Sequence, residues 1–378
     1  SAALESSESS VLSVKELMKN HKITVPESYL RLDQEPPNPL NGTHVSAWIP
    51  TFDLESLLSK EDKEFQLEKL HAICKEWGIF QLVNHGVSSS LLAKLKHDML
   101  EFYELPMEEK MKYKIKPGDV EGYGAVARSD GKLDWGDRVY MITNPIQRRK
   151  SHLLPELPSS LRKTLESYLL ELQKLALKLL GLVMGKALNI ESKEIEEIFE
   201  DGMQSVRMNY YPPCPKPEVV MGLTPHSDAT AITILHQVNG VDGLEIKKDG
   251  VWIPARILPN ALVVNVGDIL EIMSNGVYRS VEHRATVNSV KERISIAFFV
   301  NPKFDARVGP LTSLINPDNP PLFRRVLMEE YVKTFFSRKL NGKSHLEYMK
   351  IENVYGVLFD ICIPGCISVC FYMDSAEK

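Results

Sequence analysis

The sequence predicts a mainly β protein with flanking helices, whose centre folds as an antiparallel sandwich or jelly roll. The evidence is a series of short, closely spaced runs rich in β-branched and apolar residues. These runs occupy 231–237, 261–266, 277–287 and 293–300. Between two further runs of this kind, Asp249-Gly250 is a strong signal for a tight hairpin. Short strands joined by tight turns are typical of two packed antiparallel sheets.

Strands and helices are also expected on both sides of this centre. They are predicted as strands at 49–54 and 78–83, and as helices at 65–76, from Ser89 to Pro106, at 191–200 and at 320–347. The longest predicted helix spans 159–188, where leucines recur every three or four residues and form one apolar stripe. The stripe consists of Leu161, Leu165, Leu169, Leu172, Leu175, Leu179 and Leu182. We expect this helix to form the backbone of the core.

Composition excludes several classes of function. The 378 residues are 43% hydrophobic and 25% charged, which is ordinary for a globular protein. A net charge of −5 gives no basic surface, so we expect no nucleic-acid partner. The apolar run at 175–184 is too short to cross a bilayer, and we expect no membrane association.

The cysteines and the N-terminus bear on the cellular compartment. The first ten residues are polar and acidic, unlike a signal peptide. Five cysteines, an odd number without a regular framework, favour a reducing compartment. They are Cys74, Cys214, Cys362, Cys366 and Cys370. A cytoplasmic location is therefore expected.

Three side chains form a candidate metal site. His226 and Asp228 make a His-x-Asp motif, and His283 follows much later inside a predicted strand. Two imidazoles and one carboxylate are the ligands of a facial triad, which holds one face of Fe(II) and leaves the other positions open. A lone histidine is more often structural, but here the pieces fall on predicted strands. We predict a metal site with His226, Asp228 and His283 as catalytic ligands.

Arg293 and Ser295 form a candidate clamp for a carboxylate. They stand in Arg293-Ile-Ser295 at the start of the next predicted strand. Arginine binds a carboxylate through a charge-assisted fork, and a hydroxyl adds one further donor. A metal triad followed by such a clamp suggests an iron oxygenase that consumes a 2-oxo acid.

Several longer stretches resemble one family. The chain is similar to plant 2-oxoglutarate- and Fe(II)-dependent dioxygenases over roughly residues 10 to 350. Within that class it looks most like the senescence-related, alkaloid O-demethylase (thebaine, codeine) and norcoclaurine-synthase-like branch. The matching stretches begin Trp77-Gly-Ile-Phe, Asn209-Tyr-Tyr-Pro, Pro259-Asn-Ala-Leu and Ile272-Met-Ser-Asn.

The resemblance implies a set of cofactors and contacts. Fe(II), 2-oxoglutarate and O2 are expected, with ascorbate as reductant. Arg293 and Ser295 would pair with the distal carboxylate of 2-oxoglutarate, and Tyr211 and Asn209 would contact the same cosubstrate. Tyr123, in a glycine-rich turn, is expected at the mouth of the active site as a substrate contact.

Phe299 is the second expected substrate contact. Side chains alternate along a strand, so Phe299 shares the inward side of Arg293 and Ser295, whereas Phe298 faces the other way. An aromatic-lined pocket fits an apolar ring compound such as an alkaloid, flavonoid, coumarin or terpenoid.

The expected function is hydroxylation or O-demethylation of a plant specialised metabolite, with release of succinate and CO2. Two alternatives stay open. One is an iron oxidase that does not use 2-oxoglutarate. The other is a catalytically idle binding protein on the same scaffold, which an intact triad and clamp disfavour. The only partner expected is the small-molecule substrate, and the protein is expected to be a monomer.

Five segments describe the predicted organisation. They are an N-terminal tail and helix (1–48), an α/β region packed on the barrel (49–200), the Fe(II)/2-oxoglutarate jelly-roll domain (203–302), a C-terminal helical segment (303–350) and an atypical tail (351–378). The tail carries three of the cysteines, but Pro364 and Gly365 argue against a helix that presents them together. We interpret the tail as an extension without a function of its own.

Overall fold

Two β-sheets form the centre of the structure, and helices cover the larger one. The computed structural model describes residues 13–19, 24–37, 48–58, 62–125, 131–188, 190–337 and 342–351. Apart from Ile351, the predicted tail lies outside these ranges. Within them, no helix is long and apolar enough to cross a membrane.

Fourteen strands are found in the described residues. They are β1 (Thr51–Asp53), β2 (Ile79–Val83), β3 (Gly122–Tyr123), β4 (Asp137–Asn144), β5 (Gln204–Tyr211), β6 (Leu223–His226), β7 (Ile232–His236), β8 (Leu244–Lys248), β9 (Val251–Pro254), β10 (Leu262–Val266), β11 (His283–Ala285), β12 (Arg293–Val300), β13 (Arg307–Val308) and β14 (Val326–Leu327). The large sheet has the order β1-β2-β10-β7-β12-β5-β4-β3, and the small sheet has the order β6-β11-β8-β9. Apart from the parallel pair β1–β2, the pairings within both sheets are antiparallel.

Most of the helices in the described residues lie between strands along the chain. They are α1 (Val14–Met18), α2 (Lys63–Glu76), α3 (Ser89–Glu104), α4 (Met107–Met111), α5 (Ser159–Leu188), α6 (Ser192–Phe199), α7 (Asp268–Met273), α8 (Met328–Ser337) and α9 (Ser344–Met349). The long helix α5 begins and ends where the leucine periodicity predicted.

The large sheet has two chemically different faces. On β12, Ile294, Ile296 and Phe298 are fully buried in the hydrophobic core that α5 shares. The intervening Arg293 and Ser295 project to the opposite face, because side chains alternate along a strand. Six of the seven predicted stripe leucines of α5 are buried and the seventh, Leu182, is partly buried. Each fully buried leucine contributes roughly 1.5–3 kcal/mol of hydrophobic free energy, so this packing fixes which face of the sheet remains for chemistry.

Strands from both sides of residue 203 build the large sheet. From the N-terminal region, β2 pairs with β10, and β4 pairs with β5. The predicted α/β region at 49–200 therefore shares one continuous sheet with the predicted jelly-roll segment rather than resting on it as a separate layer.

The predicted strand at 277–287 is wrong in length. Only His283–Ala285 is a strand, and residues 277–282 before it form a bend and irregular backbone. The backbone N–H of Ser280 donates to Glu271 Oε2 at 2.6 Å, and that of Tyr278 donates to Ser274 Oγ at 3.1 Å. These amides are therefore bound to side chains instead of a neighbouring strand.

The predicted helix at 320–347 is also wrong, because two shorter helices stand in its place. Before α8, residues 326 and 327 form β14, which pairs with β13. Ahead of α9, Gly342 has a φ of 51°, a left-handed conformation that is costly for most residues and incompatible with a continuing helix. At Gly342 the C-terminal segment contacts the small sheet through a β-bridge with His226.

A buried ion pair ties the N-terminal segment to the small sheet. Arg284 on β11 lies 2.6 Å from Glu245 on β8, and their side chains are 0% and 3% exposed. The same guanidinium donates to the backbone oxygens of Glu35 and Pro36 at 2.7 and 3.1 Å. It also lies 4.2 Å from the centre of the Trp252 ring.

We predict that Arg284→Met lowers the free energy of unfolding by about 3–5 kcal/mol, because it removes the guanidinium from a buried carboxylate. Chemical unfolding followed by fluorescence would measure the loss. Lys174→Met, which removes an exposed pair with Glu171, serves as control and should cost less than about 1 kcal/mol. A loss for Arg284→Met as small as that of the control would contradict the prediction.

Candidate metal centre and substrate cavity

The three predicted metal ligands meet in the structure. His226 ends β6, and the antiparallel register places His283 of β11 directly opposite it. Asp228 follows two residues after β6 and reaches both imidazoles. Its Oδ1 lies 3.4 Å from His226 Nε2 and 3.7 Å from His283 Nε2. The three donor atoms lie within 4.8 Å of one another.

Backbone carbonyls set the orientation of both imidazoles. His226 Nδ1 lies 2.7 Å from the oxygen of Thr224, and His283 Nδ1 lies 3.1 Å from that of Val281. A proton on Nδ1 satisfies each contact and leaves the Nε2 lone pair for a metal. Burial also lowers the pKa of His283, although Asp228 opposes this effect. The lowered pKa favours the neutral form of the imidazole, which can bind a metal.

The two oxygens of Asp228 have separate roles. Its Oδ2 accepts hydrogen bonds from Thr233 Oγ1 at 2.7 Å and from Asn265 Nδ2 at 2.8 Å. Burial by itself would raise the pKa of Asp228, but His283, His226 and the bond from Thr233 hold it well below its ordinary value. The carboxylate is therefore ionised, with Oδ1 directed at the two imidazoles.

This donor set fits Fe(II). Two imidazole nitrogens and one carboxylate oxygen within 4.8 Å of one another are the ligand set of the facial triad typical of non-haem iron oxygenases. All three side chains are mostly buried, with 6–13% of their surface exposed.

Arg293 has the features of a carboxylate-binding residue. It is 2% exposed, and its Nε has no hydrogen-bond partner. One Nη donates to Gln237 Oε1 at 3.4 Å, and the guanidinium lies 5.4 Å from the centre of the Tyr211 ring. Burial lowers the pKa of Arg293, and Tyr211 and Asp242 oppose that effect. A carboxylate would satisfy the unpaired donor, so Arg293 fits one end of 2-oxoglutarate.

Ser295 and Asn209 lie next to Arg293 on the same face of the large sheet. They stand directly opposite each other on β12 and β5, and Asn209 Nδ2 lies 3.4 Å from Ser295 Oγ. Tyr211 likewise stands opposite Arg293. The structure thus brings together the four predicted cosubstrate residues.

Glycines make room for this group. A Cβ at Gly243 would lie 2.7 Å from Cδ of Arg293, and one at Gly136 or Gly222 would lie 2.9 Å from the ring of Tyr211. Larger residues there would displace the guanidinium or the phenol. Close packing therefore holds both side chains beside the metal centre.

A cavity of about 670 Å³ adjoins the metal centre. Its metal side includes His226 and Asp228, and Asn209 and Tyr211 open onto it from the large sheet. Helix α8 supplies the opposite wall. Aromatic residues lining the cavity include Tyr140, Tyr211, Phe299, Tyr331, Phe335 and Phe336. This volume lies within the range of sites for small organic ligands.

The two predicted substrate contacts have different positions. Phe299 lines the cavity, as strand alternation predicted, and Phe298 is buried in the core behind it. Tyr123 is fully buried, outside the cavity lining, and its hydroxyl donates to Asp137 Oδ2 at 2.7 Å. That hydroxyl is already committed to a carboxylate, so the expected contact of Tyr123 with substrate is not supported.

Sequence reasoning missed two groups of cavity residues. Arg207 lies two positions before Asn209 on β5, so extending the alternation would have placed it on the same face. Arg138 is a charged residue within the otherwise largely apolar β4. The cavity residues of α8 could have been found only from the amphipathic pattern of 328–337. The prediction of one long helix at 320–347 hid this pattern.

The segment after α8 braces the strand that carries His226. Ser227 N–H donates to the oxygen of Gly342 at 3.2 Å, and Gly342 N–H donates to that of Pro225 at 3.1 Å. Lys343 Nζ binds Glu271 Oε2 at 2.7 Å and the oxygen of Ser280 at 3.0 Å. The C-terminal region therefore contacts β6 and the turn before His283.

We predict that Thr233→Val weakens Fe(II) binding by about 10- to 100-fold, because it removes a hydrogen bond that orients the ligand Asp228. Fe(II) titration of the purified apoprotein under anaerobic conditions would measure the affinity. Asp228→Ala, which removes the ligand itself, should abolish binding.

Thr164→Val is the matched control for Thr233→Val. This substitution also removes a hydroxyl that donates to a buried carboxylate, in this case Asp98 Oδ2 at 2.5 Å. Thr164 lies on α5, far along the chain from the three metal ligands. Equal losses of iron affinity in both variants would show that the effect is one of general stability and not of ligand orientation.

Comparison with known proteins agrees with this geometry. Residues 202–302 match the 2OG-Fe(II) oxygenase superfamily, and residues 49–159 match the family described as the N-terminal region of non-haem dioxygenases in morphine synthesis. The first match covers the metal ligands and the Arg293–Ser295 clamp.

Named relatives extend over most of the chain. Codeine O-demethylase of Papaver somniferum is 47% identical, covering 90% of this chain and 96% of the relative. Oxoglutarate-dependent flavonoid 7-O-demethylase 1 of Ocimum basilicum is 46% identical, and the match covers 91% of this chain and 92% of the relative. The crystal structure of JOX2 in complex with 2OG, Fe and JA has a TM-score of 0.82 at 35% sequence identity, and the match covers 90% of this chain and 98% of JOX2. These matches confirm the jelly-roll fold and the resemblance seen in the sequence: the chain belongs to the 2-oxoglutarate- and Fe(II)-dependent oxygenase family.

Proposed function

We propose that this enzyme hydroxylates or O-demethylates a plant specialised metabolite that carries a ring system, with 2-oxoglutarate and O2 as co-substrates. The observation that carries the proposal is the cavity beside the triad, which is lined by aromatic side chains from β4, β12 and α8. The relatives named for O-demethylation of codeine and of flavonoids support a substrate of this kind.

We assign the metal ligands as His226 Nε2, Asp228 Oδ1 and His283 Nε2. Fe(II) held there supplies the coupling of 2-oxoglutarate decarboxylation to O2 activation and substrate oxidation. The remaining contributions come from the protein. The carbonyls of Thr224 and Val281 keep the imidazoles oriented, and the bonds from Thr233 and Asn265 keep Asp228 ionised and in place.

We assign Arg293 and Ser295 to the distal carboxylate of 2-oxoglutarate. A buried guanidinium whose Nε is unpaired supports this role. Tyr211 lies against Arg293, and Asn209 bridges Ser295 and Arg207, so both position the clamp. A fixed clamp places 2-oxoglutarate in one orientation and lowers the entropic cost of reaction.

Phe299 and the aromatic residues of α8 would hold the substrate over the metal. Phe299 lies 6.4 Å from Tyr140 and Tyr140 lies 6.4 Å from Phe336, measured between ring centroids. Aromatic walls bury apolar ring surface and exclude water from the reacting centre. When the oxidised carbon is an O-methyl group, its hydroxylation gives a hemiacetal that releases formaldehyde and leaves a free hydroxyl.

We further propose a cytosolic monomer. A cavity formed by residues of one chain supports the monomer, and the buried free thiols Cys74 and Cys214 are compatible with a reducing compartment. The acidic net charge of −5 gives no reason to expect nucleic acid as a partner. Light scattering of the protein as it elutes from a size-exclusion column would measure the oligomeric state.

Arg293→Met should raise the KM for 2-oxoglutarate by about 100-fold or more, because leaving one member of a buried ion pair unpaired costs about 3 kcal/mol or more. Ser295→Ala removes one hydrogen bond, and we expect about a tenfold rise or less. Steady-state succinate formation at varied 2-oxoglutarate measures both effects.

The control for Arg293→Met is Arg307→Met, since Arg307 is an exposed residue of β13 outside the cavity lining. Its KM for 2-oxoglutarate should match that of the wild type. An unchanged KM in Arg293→Met, with normal iron content, would remove Arg293 from the clamp.

The reaction type is tested by measuring Fe(II)-dependent succinate formation over a panel of methoxylated alkaloids, flavonoids, coumarins and terpenoid lactones, with ascorbate present. We expect one compound class to stimulate succinate, and a demethylated substrate to yield equimolar formaldehyde. No succinate from a folded, iron-loaded protein under any condition would contradict the proposed function.

A further inference from the structure

Two arginines lie side by side on the inner face of the large sheet. The register places Arg138 of β4 opposite Asn209 of β5, and Tyr140 opposite Arg207. Arg138 and Arg207 are therefore diagonal neighbours on adjacent strands, at a separation of about 7–8 Å between Cα atoms, which long side chains bridge easily. Both line the cavity.

The donors of these arginines are largely uncommitted. Arg207 Nε donates to Asn209 Oδ1 at 2.7 Å. In the described part of the chain, neither guanidinium forms an ion pair with a carboxylate. Each guanidinium carries five N–H donors, and of these donors only Arg207 Nε has a hydrogen-bond acceptor among the described residues.

The acidic residues near the cavity are engaged elsewhere. Asp134 Oδ1 accepts hydrogen bonds from the N–H and hydroxyl of Thr224 at 3.1 and 2.7 Å. Asp137 accepts from the Ser13 hydroxyl at 2.5 Å, the Val14 N–H at 2.7 Å and the Tyr123 hydroxyl at 2.7 Å. Asp228 belongs to the metal site. None of these carboxylates pairs with Arg138 or Arg207.

Two like charges in a partly enclosed site repel each other. Burial and the charge of Arg207 together lower the pKa of Arg138 to about 9, against opposing effects of Tyr140, Asp134 and Tyr211. Arg138 is therefore still protonated at neutral pH. An anion bound between them would relieve the repulsion and satisfy the free donors.

The distal carboxylate of 2-oxoglutarate is not that anion. Its clamp, Arg293, stands opposite Tyr211, whereas Arg207 stands opposite Ala297, which is four residues further along β12. Four residues of strand span about 13 Å. Arg138 lies in the same row as Ser295, but on β4, two strands and about 10 Å away. A carboxylate bound at Arg293 therefore cannot also lie between Arg138 and Arg207.

The pair also adjoins the aromatic part of the cavity. Tyr140 lies between Arg138 and the phenylalanines on the inner face, 6.4 Å from Phe299 and from Phe336 between ring centroids. A ligand could therefore place a ring against the aromatic side chains and an anionic group against the guanidinium groups.

We propose that Arg138 and Arg207 form a subsite for a carboxylate group of the substrate, and that the substrate is an aromatic or alicyclic acid rather than a cationic alkaloid or a neutral ether. This inference rests on the proposed oxygenase function and narrows its substrate class. Two adjacent forks match the planar geometry of a carboxylate and would orient the rest of the molecule towards the metal.

The test uses the full-length protein loaded with Fe(II) and 2-oxoglutarate under anaerobic conditions. Methoxylated arylalkanoic acids serve as probes, each compared with its methyl ester and with the amine of the same skeleton by isothermal titration. We expect at least one acid to bind about 10- to 100-fold more tightly than its ester, the range for charge-assisted hydrogen bonds. The amine should bind more weakly than either.

Variants then assign the preference to the pair. Arg138→Gln and Arg207→Gln should each reduce the ratio of acid affinity to ester affinity by about tenfold or more. Arg138→Lys and Arg207→Lys should restore part of this ratio, because lysine keeps the positive charge but lacks the paired donors of the guanidinium. Arg148→Gln, an arginine outside the cavity lining, is the matched control and should leave the ratio unchanged.

Three results would overturn the subsite: esters or amines that bind as well as the acids, no binding by any acid, or an acid preference that survives both Gln substitutions. The acid–ester comparison uses the wild type alone and does not depend on the folding of a variant. Failure of the proposed function looks different, because the wild type then forms no Fe(II)-dependent succinate at all.

Discussion

The antiparallel pairing of β6 with β11 is the constraint on which the functional architecture depends. It sets His226 directly against His283, so two metal donors from distant parts of the chain share one backbone ladder. Asp228 joins them from the turn after β6, and its second oxygen is held by β7 and β10 of the other sheet through Thr233 and Asn265. The metal centre thus lies where the two sheets are joined, and a shift of either strand by one residue would turn a ligand away from it.

The large sheet separates stability from chemistry by strand alternation alone. Its outer residues, such as Ile296 and Phe298, complete the core with α5, while its inner residues form a grid of polar and aromatic side chains. Across β4, β5 and β12, the first row holds Tyr211 and Arg293, the second holds Arg138, Asn209 and Ser295, and the third holds Tyr140 and Arg207. The proposed cosubstrate and substrate positions therefore share one face of the sheet, and Asn209 connects them by its contacts with Arg207 and Ser295.

Much of this arrangement could be predicted from local sequence. The ligand motif, the clamp, the facing of Phe299 and the limits of α5 all follow from short-range pattern and periodicity, because each depends on residues close in the chain. The failures depend on individual side-chain contacts. Glu271 of α7 binds the amide of Ser280, nine residues away, and Asp137 accepts from the hydroxyl of Tyr123, 14 residues away. The partners are close in the chain, but a pattern of residue types does not show which donor meets which acceptor. Only the contacts of Gly342 with β6 join distant parts of the chain.

The brace formed by Gly342 and Lys343 has a consequence for the order in which the site can be completed. The metal donors, the clamp and the arginine pair all lie between residues 138 and 295, but the far wall belongs to α8, and the brace on β6 follows it. During synthesis the chemistry-bearing residues emerge well before the segment that encloses them. A nascent chain can thus possess a complete set of iron ligands while its cavity is still open to water, and enclosure waits for the last-made helices to fold back onto the small sheet.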